Sequence, residues 1–284
     1  MKYNRYYRRV FSAKFITDLV NHQCLSTLFW NRTAMTSEPH RYQAPEQLLQ
    51  DNIIVVTGAG DGIGRCAAKT FAAHGATVIL VGKTIDKLEA VYDDIDNAGF
   101  PQAAIYPMHL GGATMKDYRD MHDTLQREFG RLDGLLHNAS ILGDRKAIAQ
   151  TDSEQWLEVM QVNVNAAFMM TQALLPLLER SASGSIVFTS SGVGRKGRAY
   201  WGAYSVSKFA TEGMCQVLAE ELEGVGNTRV NCINPGATRT AMRAGAYPAE
   251  DPGTLPAPED IMPTYLFLMG ADSRGVSGQS INAQ

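Results

Sequence analysis

Strand-length apolar runs return at intervals along this chain, at Ile53–Thr57, Thr77–Val81, Ala103–Met108, Leu132–His137, Ser185–Ser190 and Arg229–Ile233, and most are separated by longer stretches of helical periodicity. Strands joined through helices run parallel, because the crossover returns the chain to the starting end of the sheet. The first run, Ile53-Ile54-Val55-Val56, is apolar at every position rather than at every second one, so both of its faces are covered. This pattern predicts an α/β fold, a doubly wound parallel sheet in a single domain over 52–284, with ligands bound at the carboxyl ends of the strands. No internal repeat, low-complexity tract or linker breaks that span.

Composition removes several function classes. With 26 basic and 29 acidic residues the net charge is -3, which argues against neutralising the many phosphates of a nucleic acid. Cys24, Cys66, Cys215 and Cys232 have neither paired CxxC spacing nor the density of a secreted scaffold, so reduced thiols in a cytoplasmic protein are expected, with no metal site. The longest uncharged run, Val159–Leu178, carries Gln161, Asn163, Asn165, Thr171, Gln172 and Pro176. Those residues argue against a membrane span and for a helix buried between the sheet and a partner subunit.

Residues 1–34 differ from everything downstream, with Lys2, Arg5, Arg8, Arg9, Lys14 and Arg32 set among aromatic residues against a single acid, Asp18. Such a basic extension suits a membrane surface or an organelle transit peptide, but a start codon placed too early, with synthesis beginning at Met35, accounts for all of it. Residues 35–51 then form a polar lead-in to the first strand.

Five places carry chemistry. Gly58-Ala59-Gly60-Asp61-Gly62-Ile63-Gly64 follows the first strand and opens a helix with GxxxGxG spacing. Such glycines let a backbone approach a pyrophosphate at a helix amino end, although a tight strand-to-helix turn without a ligand uses the same residues. At the end of the second strand, Gly82-Lys83 stands where an acid would hold a ribose 2′-hydroxyl. A lysine there attracts a 2′-phosphate, so NADP(H) is expected over NAD(H), with Asp61 a counterweight and a merely solvated lysine the alternative. Asn138-Ala139-Ser140 follows the fourth strand, and Ser190-Ser191 ends the fifth. Thirteen residues beyond Ser191, Tyr204 and Lys208 stand at i and i+4, on one face of a helix, where an ammonium can favour the ionised phenol. Pro235-Gly236-Ala237-Thr238-Arg239-Thr240 turns back over the same strand ends.

In this order and spacing, the five elements resemble the classical short-chain dehydrogenase/reductase family, a Rossmann fold, over 52–284. The stretches LLHNASILGD, MQVNVNA, FTSSGVGRKGRAYWGAY and NCINPGATRTAMRA resemble, more narrowly, bacterial YciK-type oxidoreductases. The resemblance implies an NADP(H)-dependent enzyme that interconverts a carbonyl and a secondary alcohol on a small molecule, as a homodimer or homotetramer. By it, Tyr204 is the general acid/base, Lys208 holds the nicotinamide ribose and lowers the phenol pKa, and Ser191 bonds the developing alkoxide. Asn163 positions a proton-relay water, Asn138 and Ala139 brace the backbone beside the cofactor, and Thr238 and Thr240 belong to the loop that meets the nicotinamide. Two readings from other classes stay open: a nucleotide-binding regulator without turnover, and an epimerase or dehydratase on the same scaffold.

The chain also departs from the family. Met108-His109-Leu110 stands where an aspartate usually bonds the adenine, leaving His109 either to accept that bond when neutral or to be a plain strand-end residue, and Ser140 replaces a glycine. Gly278–Ala283 resembles the family's last strand. His74, His122 and His137 are read as structural. Arg195, Lys196 and Arg198 suit either an anionic substrate or a solvated loop, and Ala241–Pro258 is the expected lid over the substrate.

Overall fold

The computed structural model describes residues 38–284, so the reading of the basic extension over 1–34 lies outside the described residues. Seven parallel strands form one sheet: β1 (Ile53–Thr57), β2 (Thr77–Gly82), β3 (Ala104–Pro107), β4 (Gly134–His137), β5 (Ser185–Thr189), β6 (Arg229–Asn234) and β7 (Ser280–Asn282). Their order is β3-β2-β1-β4-β5-β6-β7. It reverses direction between β1 and β4, and the crevice that such a reversal opens lies at the carboxyl ends of those strands.

Successive residues of β1 serve opposite faces. Ile54 and Val56 pack into the core under α1 (Gly62–Ala73), α2 (Ile85–Asn97) and α8 (Met262–Met269), while Val55 joins the core under α3 (Met115–Glu128), α5 (Ala166–Leu178) and α6 (Gly202–Glu221). The unbroken apolar run has this cause: every position of β1 has a helix layer above it or below it. At the opposite end of the sheet from the crevice, buried Asp133 accepts the Ile53 N–H at 2.9 Å and the Ser181 hydroxyl at 2.6 Å. The part of the lead-in within the described residues packs on the same body, with Leu49 in the core and the Tyr42 ring edge-on to Phe267.

The long apolar helix of the sequence is interrupted in its register. After α4 (Ser153–Met160) comes one π-helical turn, Gln161–Asn165, before α5 continues. Such wide turns recur at functional sites, and this one carries Asn163. Among the described residues no helix is long and apolar enough to cross a membrane.

Candidate active site

A cavity of about 440 Å³ runs along the carboxyl ends of the strands. At one end it is floored by the glycine loop between β1 and α1, where Gly58 (φ 68°) and Gly62 (φ 49°) hold left-handed backbone that favours glycine. A Cβ on Gly58 would also lie 3.0 Å from Ala139 Cα, so the loop is seated directly on the turn after β4. The Thr57 hydroxyl joins the two, accepting from the N–H groups of Asn138 and Ala139 at 3.0 Å each, while the Asn138 amide donates to the Thr57 carbonyl at 3.3 Å. Gly60, Asp61, Ile63, Lys83, His109 and Leu110 line this end. His109 is exposed, its ring lying over the backbone of Gly111 and Gly112. Gly64 lines neither cavity described here; a side chain there would strike the Gly58 carbonyl.

At the other end stand Ser191, after β5, and Tyr204, in the first turn of α6. Burial pushes the Tyr204 phenol up to about 12, with the hydrogen bond from Ser191 pulling the other way. Lys208, one turn further along α6, is buried, and its Nζ donates to the Thr189 carbonyl at 2.7 Å. Its ammonium lies 5.4 Å from the centre of the Tyr204 ring, and burial lowers its pKa to about 8. The net shift of the phenol is upward, opposite in sign to the lowering expected from Lys208. The ammonium is tied to a backbone carbonyl under the ring, and desolvation dominates the phenol.

Lys208 and Asn163 line a second, adjoining cavity of about 10 Å³, the room of roughly one water. The Asn163 amide clamps Ile141 through both backbone groups, at 2.8 and 2.9 Å, and donates to the Ser207 hydroxyl at 3.0 Å. It thereby ties the turn after β4 to α6. His137 borders the same space, stacked on Phe188 and bonded to the Thr171 hydroxyl, and burial drops its pKa to about 3, so it is neutral.

The third wall is the loop after β6. Pro235, Gly236, Thr238 and Thr240 line the main cavity, and the Thr240 hydroxyl caps α7 (Ala241–Ala246) by accepting from Arg243 N at 3.1 Å. The Gln284 amide stitches this turn from below, donating to the Pro235 carbonyl at 2.6 Å.

The substrate side holds residues whose part the sequence did not announce. The Arg145 guanidinium lies 4.7 Å from the Trp201 ring and 4.9 Å from the Tyr247 ring, and it donates to the Ala246 carbonyl. Arg243 lies 3.9 Å from the Tyr247 ring and grips Glu250 with two bonds of 2.6 Å. Of the basic loop, Arg198 donates to the Tyr247 hydroxyl at 2.9 Å, whereas Arg195 faces β7, bonded to Ser280 and Asn282. Three loops thus close on Tyr247, joined by cation–π contacts and hydrogen bonds that leave no periodic trace in sequence.

The donor set fits a nicotinamide dinucleotide. A bare backbone floor, a lysine at one end, a phenol at the other, and a buried Ser190 hydroxyl without a partner among the described residues share one cavity, with the Lys208 ammonium in the small cavity beside it. The family model for short chain dehydrogenase matches residues 52–251. The oxidoreductase YciK of Escherichia coli (strain K12) is 54% identical over 243 residues, which cover 86% of this chain and 96% of that protein. A solved short chain dehydrogenase from Pseudomonas syringae is 60% identical with a TM-score of 0.84, over 86% of this chain and 98% of its own. Another, from Shigella flexneri 2a strain 301 and complexed with NADP, is 54% identical with a TM-score of 0.82, over 84% and 100%. This chain belongs to the short-chain dehydrogenase family and is an oxidoreductase enzyme of the type that uses a nicotinamide cofactor.

Proposed function

We propose that the protein is an NADP(H)-dependent oxidoreductase that interconverts a carbonyl and a secondary alcohol. One observation carries the reading: a single cavity has Lys83 at the end where a ribose 2′-phosphate would sit and the Ser191–Tyr204 pair at the other. Gly58, Gly60, Gly62 and Ile63, with Asn138 and Ala139, form the floor for the pyrophosphate, Asp61 lies with Lys83 beside the adenosine ribose, His109 and Leu110 flank the adenine, and Pro235, Gly236, Thr238 and Thr240 face the nicotinamide. The related NADP complex supports that assignment.

The bound nicotinamide supplies or accepts the hydride. Tyr204 gives its proton to the carbonyl oxygen, and a phenol pushed up to about 12 is fully protonated at neutral pH, as a donor must be. Ser191 donates to the same oxygen as negative charge develops on it. Lys208 stabilises the phenolate left behind, supplies the proton that restores the phenol, and holds the nicotinamide ribose. Asn163 fixes the Ile141 backbone and borders the small cavity in which a water returns the proton to Lys208.

Exposed apolar side chains on the faces of α5 and α6, Phe168, Val206, Phe209 and Val217, support a homodimer or homotetramer. The buried free thiols of Cys66, Cys215 and Cys232 suit the cytoplasm. The test is NADPH and NADH oxidation by residues 35–284 with a panel of ketones, aldehydes, quinones and ketoacids. Turnover of one chemical class with NADPH supports the proposal, and tight NADPH binding without turnover of any would overturn it in favour of a binding protein.

A further inference from the structure

The first turn of α2 brings a second lysine to the adenosine end of the cavity. Lys87 lines it beside Lys83 and Thr84, and its Nζ lies 2.5 Å from Oδ2 of Asp61 in the glycine loop. The other Asp61 oxygen accepts the Gly62 N–H at 2.8 Å, so the carboxylate is held on both sides. Stability does not explain the pair. The two side chains are 54% and 59% exposed, and ion pairs that wet contribute little.

Gly60 shows how closely the loop and the helix are fitted. Its backbone is not left-handed, so the turn itself does not demand glycine there. A Cβ on Gly60 would nevertheless lie 2.9 Å from the Lys87 Cβ, the root of that side chain, which has no rotamer by which to move away. Gly60 leaves the space in which the Lys87 stem lies, and the stem delivers the ammonium to Asp61.

An acid in a glycine loop repels a phosphate placed near it, and Asp61 lines the same end of the cavity as Lys83. With Lys87 on it, Asp61 is neutralised. Lys83 has no ion-pair partner among the described residues and keeps its charge for a ligand.

We propose that Lys87 is a specificity-determining residue for the 2′-phosphate of NADP(H). By cancelling Asp61 it makes an acidic glycine loop compatible with a phosphorylated cofactor. This inference rests on the NADP(H) reading above. The test is calorimetric binding of adenosine 2′,5′-bisphosphate and 5′-AMP, which differ only in the 2′-phosphate, to the wild type, Lys87→Ala, and Lys87→Ala combined with Asp61→Asn. Asparagine keeps the cap on Gly62 and removes the charge. Lys87→Ala is expected to weaken the bisphosphate about tenfold and leave 5′-AMP within twofold, and Asp61→Asn is expected to recover most of that loss. Equal losses for both ligands, no loss for either, or no recovery in the double variant would overturn the role of Lys87. A wild type that binds the two ligands equally would overturn the NADP(H) reading instead.

Discussion

The two ends of the cavity are built by different means. The cofactor end rests on backbone: left-handed glycines, the Thr57 hydroxyl bridging two strand ends, and the Gly236 turn stitched by Gln284. The substrate end rests on side chains from three separate loops, stacked around Tyr247 and fixed by arginines. Backbone shapes need particular residues at particular spacings, so the first end is fixed in a way that side-chain packing does not fix the second. The difference teaches that one cavity can join an end shaped by backbone to an end shaped by side chains, and it can be tested from either side.

The largest effect is expected where the two ends meet. Tyr204→Phe removes the proposed proton donor but keeps the ring that packs against Trp201, 5.8 Å away between centroids. Turnover should fall about 10³-fold, the middle of the range for general acid catalysis, with the dissociation constant for NADPH unchanged. Steady-state rates and cofactor titration on the same preparation check both halves. Retained turnover would remove Tyr204 from the mechanism.

Lys208 sets the next effect, through pH. The proposed mechanism needs its ammonium, and burial has lowered its pKa from 10.5 to about 8. Activity that depends on the charged form is present below pH 8 and is lost above it, about tenfold per unit, in kcat/KM for NADPH, which reports the free enzyme. Stability moves the other way. An unfolded lysine keeps its proton up to 10.5 while the folded one has released it, so the contribution of this group to stability rises from about pH 8 to 10.5. A melting temperature that falls in step with activity over that window would assign the loss to unfolding rather than to Lys208.

The substrate end should be separable from the cofactor end. Arg145→Ala deletes two cation–π contacts and the bond to the Ala246 carbonyl, together about 1–3 kcal/mol, and so loosens α7 and Tyr247. The expected result is a roughly tenfold rise in KM for the carbonyl substrate with little change in NADPH affinity. A change in NADPH affinity of the same size would show that the two ends are one mechanical unit.

What the sequence made legible follows the same division. The parallel sheet was readable because β1 is apolar at every position, and the glycine loop, Ser191, Tyr204 and Lys208 were readable because turn geometry and the i, i+4 helix spacing constrain residue type locally. The cluster of Arg145, Trp201, Arg198 and Tyr247 was not, since its members are as much as 102 positions apart and each alone looks like an ordinary loop residue. Lys87 escaped for a related reason: it sits on the exposed first turn of α2, where a lysine is unremarkable until Asp61 is found 2.5 Å away. The direction of the Tyr204 shift was also beyond the sequence, because spacing places Lys208 on the right face but says nothing of how deeply the phenol is buried.

The smallest effect expected is at Lys83, and it is the sharpest test of the cofactor end. The residue is exposed, so its attraction for a 2′-phosphate is screened by water and salt. Lys83→Ala should weaken NADPH about fivefold and NADH hardly at all, with the difference shrinking as salt is raised. The salt dependence distinguishes charge from packing: a loss that is equal for both cofactors and indifferent to ionic strength would mean that Lys83 shapes the strand end and does not read the phosphate. In that case Lys87, freed from Asp61, would be the remaining cation at this end of the cavity, and the order of the two lysines would have to be reversed.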